Sequence, residues 1–258
     1  MDEKEVKVNG ARIIYFQGGT GPDLILLPSA GGRGKEYKDI FPFLIPYFSV
    51  TSLDYPGFGR SDELKEVDGV EKLADFTTTW LKTIGVDSFF LAGFSMGGAI
   101  ALQIALKAPD QIRKLCVIAT AAGIINDIPI ISPVGLNMKE ILTFFYYRPE
   151  VKERIKNEKL TADEKKEIHR SSQTFARMDK DSKVFKNFFN LLPSIYCQTL
   201  VIGAENDLVV PIPYQEAIFN QLPRARWKTF PETGHFIIVE RPKELALELT
   251  HFFNETSV

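Results

Sequence analysis

The 258-residue sequence predicts an α/β chain built on a mostly parallel sheet, and three observations carry that expectation. Short apolar runs alternate with helical patterns through the first 120 residues. The same alternation returns from Thr199 onward. Between them, from Gly123 to Tyr196, helical patterns follow one another with no strong strand. Strands that alternate with helices form parallel sheets covered on both faces. The middle stretch therefore reads as an insertion, with residues 1–122 and 197–258 as the core and 123–196 inserted.

Each element has its own signal. Val6–Val8 and Ile13–Phe16 flank Asn9-Gly10, a strong hairpin pair. Leu24–Leu27 is a continuous apolar run of the kind buried on both sides of a sheet. Tyr37–Tyr47 reads as a helix interrupted by Pro42 and Pro46, and Ser49–Leu53 as a strand. Val70–Ile84 places Val70, Leu73, Phe76, Trp80, Leu81 and Ile84 at helical spacing before Gly85 stops it. Ser88–Ala92 and Lys114–Ala119 read as strands around a helix at Met96–Lys107. Inside the insertion, helices are expected at Leu136–Tyr147, Pro149–Asn157, Thr161–Met178 and Asp181–Leu192. Thr199–Gly203 and Ala225–Phe230 are the last strands, with helices at Tyr214–Leu222 and Pro242–Phe253.

Composition narrows the function classes. A hydrophobic fraction of 45% with 25% charged residues is ordinary for a globular protein and excludes a fully disordered chain. A net charge of −2 offers no basic excess for nucleic acid. No apolar window is long enough for a membrane span, and the charged start, Met1 to Asn9, lacks the apolar core of a secretory signal. Cytoplasmic location is the default expectation, with no stable membrane association. Cys116 and Cys197 are too few for a disulfide framework and have no metal-ligand spacing, so both are expected to be structural thiols, and neither a metal nor a cofactor is expected.

The chemistry-bearing residues sit at strand ends. Gly93-Phe94-Ser95-Met96-Gly97 follows an apolar run and opens a helix. A nucleophilic serine needs that tight strand-to-helix turn, and glycines leave room where a Cβ would clash. The competing role for Ser95 is a plain helix N-cap. Asp207, with Glu205 as its rival, lies just past the strand Thr199–Gly203, at the sheet edge where open α/β folds bind ligands. Among His169, His235 and His251, only His235 follows a strand into a loop, at Thr233-Gly234-His235-Phe236. A neutral imidazole can take a serine proton near neutral pH. The order Ser95, Asp207, His235 is the one expected of this kind of site.

Four segments together resemble the α/β-hydrolase superfamily, in its small capped esterase, lactonase and C–C hydrolase branch. They are Gly93-Phe94-Ser95-Met96-Gly97-Gly98, Leu53-Asp54-Tyr55-Pro56-Gly57-Phe58-Gly59-Arg60-Ser61, Gly203-Ala204-Glu205-Asn206-Asp207 and Gly234-His235. The resemblance spans nearly all of the chain outside the insertion. It implies an α/β-hydrolase fold, a mostly parallel eight-stranded sheet with helices on both faces and the insertion as a helical cap. It implies Ser95 as nucleophile, His235 as base and Asp207, in preference to Glu205, as the acid. It also implies that residues 53–61 form a structural turn and that backbone N–H groups of Met96 and Ala30 form an oxyanion hole. The chain departs from the family at Pro28 and Ser29, where histidine and glycine are usual. Gly31-Gly32-Arg33-Gly34 could cradle a phosphate, but it lacks the spaced Lys-Ser/Thr of such loops.

The expected activity is hydrolysis of a small, fairly apolar carboxylic ester or lactone through an acyl-enzyme. The alternatives are C–C hydrolysis of a diketone and a non-catalytic ligand receptor on the same fold. A serine nucleophile argues against the haloalkane dehalogenases and epoxide hydrolases of this fold, which use aspartate. The expected partner is a small molecule, and the sequence leaves monomer and homo-oligomer both open. Substrate contacts are expected from Ser29, Met96, Leu208 and Phe236 in the core and from Ile124 and Met138 in the insertion. The remaining apolar residues of the insertion, Ile125, Ile128, Ile141, Leu142, Phe144 and Phe145, read mostly as cap packing. Phe144–Tyr147 could also form a lipid-facing lid.

Overall fold

The computed structural model describes residues 1–123, 125, 128–179 and 188–255. Asp2–Val8 (β1) and Ala11–Gly18 (β2) form the leading hairpin. Asn9 at φ 51° and Gly10 at φ 83° make its two-residue turn, a left-handed pair that suits asparagine and glycine. Asp23–Leu27 (β3), Ser49–Leu53 (β4), Phe89–Phe94 (β5), Ile112–Ile118 (β6), Thr199–Ala204 (β7) and Ala225–Phe230 (β8) complete an eight-stranded sheet. Its order is β1-β2-β4-β3-β5-β6-β7-β8. β1 and β2 are antiparallel additions, and β4 through β8 are parallel. This is the α/β-hydrolase fold, mostly parallel as the sequence predicts.

The helices are Phe41–Leu44 (α1), Val70–Thr83 (α2), Met96–Lys107 (α3), Met138–Phe144 (α4), Pro149–Asn157 (α5), Ala162–Asp179 (α6), Ile212–Gln221 (α7), Ile237–Glu240 (α8) and Pro242–Asn254 (α9). Alternate residues of each apolar strand go to opposite faces, so one run feeds two cores. Ile25 and Leu27 of β3 pack with α2, α3 and α7. Leu24 and Leu26 pack with α1, α8 and α9. Lys114 is the exception inside β6. Its buried Nζ donates to the carbonyls of Phe252 (2.6 Å) and Glu255 (2.8 Å), satisfying orphan groups at the end of α9.

Local chemistry explains where elements differ from expectation. The helix expected over Tyr37–Tyr47 is a 3-10 turn, Gly34–Asp39, followed by α1, which carries Pro42 in its first turn. The helix expected over Leu136–Tyr147 shortens to α4 because Asn137 caps it. Its side chain accepts from the Glu140 N–H (3.1 Å), and Glu140 accepts from the Asn137 N–H (2.8 Å). α8 was not foreseen. Of the helix expected at Asp181–Leu192, residues 181–187 lie outside the described residues, and Phe189–Ser194 is a 3-10 turn. Among the described residues, no helix is long and apolar enough to cross a membrane.

Close backbone-to-backbone packing joins α3 to β3. A Cβ on Gly97 would overlap the Leu27 carbonyl oxygen, and backbone cannot step aside as a side chain can. Gly97→Ala is expected to lower unfolding free energy by about 3 kcal/mol. Chemical denaturation would read this, and an unchanged midpoint would contradict it.

Candidate active site

Ser95 follows β5 and stands before α3 at φ 54°, ψ −118°. That left-handed backbone is strained for a residue with a Cβ. The strain is held by the Ser95 N–H donating to the Ile118 carbonyl (2.8 Å) and by the close approach of Gly93 to Gly97. The Ser95 side chain makes no cap hydrogen bond to α3. The N-cap role is therefore set aside, and the half-buried hydroxyl is turned elsewhere.

It is turned to His235. Ser95 Oγ lies 3.0 Å from His235 Nε2, and His235 Nδ1 lies 2.8 Å from Asp207 Oδ2. A carboxylate only accepts, so Nδ1 carries the proton and Nε2 is left to accept from Ser95. Asp207 follows β7 and is buried. Its Oδ1 accepts from the N–H groups of Val209 (2.8 Å) and Val210 (2.9 Å), and Gln215 Nε2 approaches Oδ2 at 3.4 Å. The rival Glu205 is exposed and accepts from the Glu232 N–H at 3.3 Å.

The His235 ring is buried among Phe94, Phe145 and Phe236, with centroids 5.1, 5.5 and 6.0 Å away. Its loop is tied to the insertion by Glu240. Oε2 of that buried side chain accepts from Gly234 N–H (2.7 Å), and Oε1 accepts from the N–H groups of Tyr147 (2.6 Å) and Arg148 (3.1 Å). His169 and His251 are exposed and distant in role, with His251 paired to Glu255 at 3.4 Å.

A cavity of about 510 Å³ opens over the serine. Ser29, Ala30, Ser95 and His235 line one end. Ile128–Pro133, Phe145, Phe175, Val209, Val210 and Phe236 form mostly apolar walls. Asp179 is the one acidic lining residue, and no lysine or arginine lines it among the described residues. Also among the described residues, no three His, Cys, Asp or Glu side chains converge to hold a metal. Cys116 is buried in β6, where burial pushes its thiol well above the usual range.

The expected contacts divide. Ser29 and Phe236 line the cavity. Met96 is not among the lining residues, and its side chain is fully buried in the core. Leu208 is 55% exposed. The two hydrogen bonds to Asp207 bring Val209 and Val210 to the cavity instead. Met138 is 58% exposed at the open end of α4. Ile124 lies outside the described residues. Of the residues read as cap packing, Ile128 and Phe145 line the cavity and Ile125 is buried in the core.

The segment Phe144–Tyr147 is no lipid-facing lid at its centre. Phe145 and Tyr146 are buried, and Tyr146 stacks on Phe236 at 5.1 Å. Nor do residues 31–34 cradle a phosphate freely, since the Gly34 N–H donates to Asp54 (2.8 Å) and Arg33 pairs with Glu167. Of the strip 128–133 the sequence singles out only Ile128, and it points to neither Phe175 nor Asp179. Ile-Pro-Ile-Ile-Ser-Pro has no helical or strand period, and its prolines were its one signal.

Comparison with known proteins bears on the family and the fold. The model of the alpha/beta hydrolase family matches residues 24–249. The 2-hydroxy-6-oxo-6-phenylhexa-2,4-dienoate hydrolase of Burkholderia cepacia is 26% identical over 265 residues, covering 90% of this chain and 87% of that protein. The pimeloyl-[acyl-carrier protein] methyl ester esterase of Vibrio campbellii is 37% identical over 103 residues, covering 40% of this chain and 39% of that one. In fold, the chain is similar to a meta-cleavage product hydrolase from Pseudomonas fluorescens IP01, with a TM-score of 0.83 at 18% identity over 98% of each chain. With the match extending over most of its length, the chain belongs to the alpha/beta hydrolase family.

Proposed function

We propose that the protein is a serine hydrolase that cleaves a small, neutral, fairly apolar carboxylic ester or lactone through an acyl-enzyme. The observation that carries this reading is the line from Ser95 Oγ through His235 to Asp207, at 3.0 and 2.8 Å, opening on an apolar cavity. His235 Nε2 takes the proton as Ser95 Oγ attacks the ester carbonyl carbon. Asp207 steadies the imidazolium that forms. The carbonyl oxygen becomes an oxyanion beside the N–H groups of Met96 and Ala30, where donors fixed in advance stabilise developing charge. His235 then returns the proton to the leaving alkoxide, and water repeats the sequence to release the acid. The substrate is the one partner this reading requires, and no cofactor takes part.

A second reading, C–C hydrolysis, is favoured by similarity to the Burkholderia dienoate hydrolase along 90% of the chain. A dienoate carries a carboxylate, and an anion in an apolar cavity is costly without a cationic partner. Among the described residues, this cavity offers no lysine or arginine and adds the carboxylate of Asp179. The Asp179 carboxylate on this wall, which would repel such an anion, supports the neutral ester.

Two outcomes are expected. Ser95→Ala should lower kcat/KM for p-nitrophenyl butyrate by about 10⁴-fold or more, with an unchanged melting curve. Fluorophosphonate should label the parent and not the variant. Absent labelling of the parent, beside a labelled known esterase, would favour a binding protein on the same fold. Asp179→Asn should raise kcat/KM about tenfold for an ester bearing a terminal carboxylate, relative to its neutral analogue, as repulsion is relieved. A parent enzyme that turns over a dienoate diketone faster than any neutral ester would reverse the choice of substrate.

A further inference from the structure

Glu36 is a titratable residue placed under the active-site loop that the proton line from Ser95 to Asp207 does not use. It lies on the 3-10 turn Gly34–Asp39 and is half-buried overall. Both carboxylate oxygens go to one residue. Oε1 accepts from the Ser29 N–H (2.7 Å), and Oε2 accepts from the Ser29 hydroxyl (2.8 Å). Ser29 lines the cavity together with Ala30 and Ser95. Gly32 leaves the passage for this carboxylate, since a Cβ there would overlap Glu36 Oε2 and lie 2.8 Å from Ser29 Oγ.

A hydroxyl has one proton to donate. While Glu36 is ionised, the Ser29 proton is committed to Oε2, and only lone pairs remain for the cavity. When Glu36 is neutral, the bond can reverse. The proton on Oε2 then donates to Ser29 Oγ, Oε1 still accepts from the Ser29 N–H, and the Ser29 O–H is released toward the cavity. Resting on the serine hydrolase reading, we infer that Glu36 is a positioning residue whose protonation sets whether the Ser29 hydroxyl can donate to the oxyanion of the substrate.

The surroundings favour a carboxyl that changes state near neutrality. Burial pushes Glu36 up to about 7, against the lowering effect of its two bonds to Ser29 and of Arg33. Arg33 helps little, because its guanidinium is engaged by Glu167. From the other elements, the phenols of Tyr37, Tyr55 and Tyr146 face the same charge, and each is pushed up by burial first and by Glu36 among the lesser causes. From α8, Glu240 adds no proton donor, since its oxygens accept from Gly234, Tyr147 and Arg148.

The sign follows. Below the Glu36 titration, Ser29 can donate and the oxyanion gains a partner. Above it, that partner is withdrawn. Glu36→Gln fixes the donating arrangement, with its amide oxygen accepting from the Ser29 N–H and its NH₂ donating to Oγ. The ratio of kcat for Glu36→Gln over parent should therefore rise about fivefold from about pH 6 to about pH 8.5, the worth of one hydrogen bond. Any pH dependence that the two enzymes share cancels in the ratio. In a Ser29→Ala background the same ratio should stay flat. A flat ratio in the parent background overturns the inference, as does a rise that survives Ser29→Ala. A second readout needs neither turnover nor a fully active variant. Infrared titration of the parent should show a carboxyl C=O band that is lost in Glu36→Gln and shifted in Ser29→Ala. Absence of that band overturns the inference even where ester turnover is intact, whereas loss of turnover with the band present faults the hydrolase reading instead.

Discussion

The backbone of α3 meets the backbone of the β3 loop without a side chain between them, and the geometry of the site follows from that approach. Gly97 sits against the carbonyls of Leu27 and Pro28, and Gly93 against Gly97. This crowding lets a residue at φ 54° persist at the head of α3. It also brings the first turn of that helix close to the loop that carries Ser29 and Ala30. Ser95 and the loop of Ser29 and Ala30 are thus held together by one packing contact. Serine alone would not suffice, because the strained backbone needs the two glycines and the Ile118 carbonyl to hold it.

The insertion is bound to the core by polar contacts placed around the cavity's rim. On one side, Ser171 Oγ accepts from the Gly59 N–H (2.9 Å), and Thr174 donates to the Gly57 carbonyl (2.8 Å). On the other, Glu240 gathers N–H groups from both sides of the seam. Fixed on two sides, the wall of Phe145 and Phe175 closes over Ser95 and His235. The apolar lining lowers the local dielectric, so each hydrogen bond in the proton line and at the oxyanion counts for more than it would in water.

How much of this was legible in the chain depended on range. The strand-helix rhythm, the hairpin at Asn9-Gly10 and the elbow at Ser95 are written locally, because their backbone conformations require particular residues nearby. The Asp207 loop was legible for the same reason. Its carboxylate caps the N–H groups of Val209 and Val210, so acid and valines form one local unit. The same turn leaves Leu208, expected as a contact, exposed. The Met96 side chain, expected as a contact, packs in the core instead. The cavity wall at 128–133 was not legible, since an extended strip with two prolines takes its place from long-range bonds such as Ile131 N–H to the Val209 carbonyl (3.0 Å).

Two carboxylates near the serine differ in what surrounds them, and that difference separates their uses. Asp207 receives the N–H groups of Val209 and Val210, the His235 Nδ1 proton and the edge of Gln215. So many donors suit a carboxylate that serves as a fixed acceptor for the imidazole beside it. Glu36 receives both of its donors from Ser29 alone, and the nearest cation is already taken by Glu167. One of those donors is a hydroxyl that can turn round, which a backbone N–H cannot. The departure from the family at Ser29 thus places a reversible donor in a loop where the usual glycine would offer backbone only, and it puts a carboxyl pushed up to about 7 directly behind it. On the proposed reading, proton transfer to the substrate stays with His235, while the oxyanion site answers to the protonation of a residue that never touches the substrate.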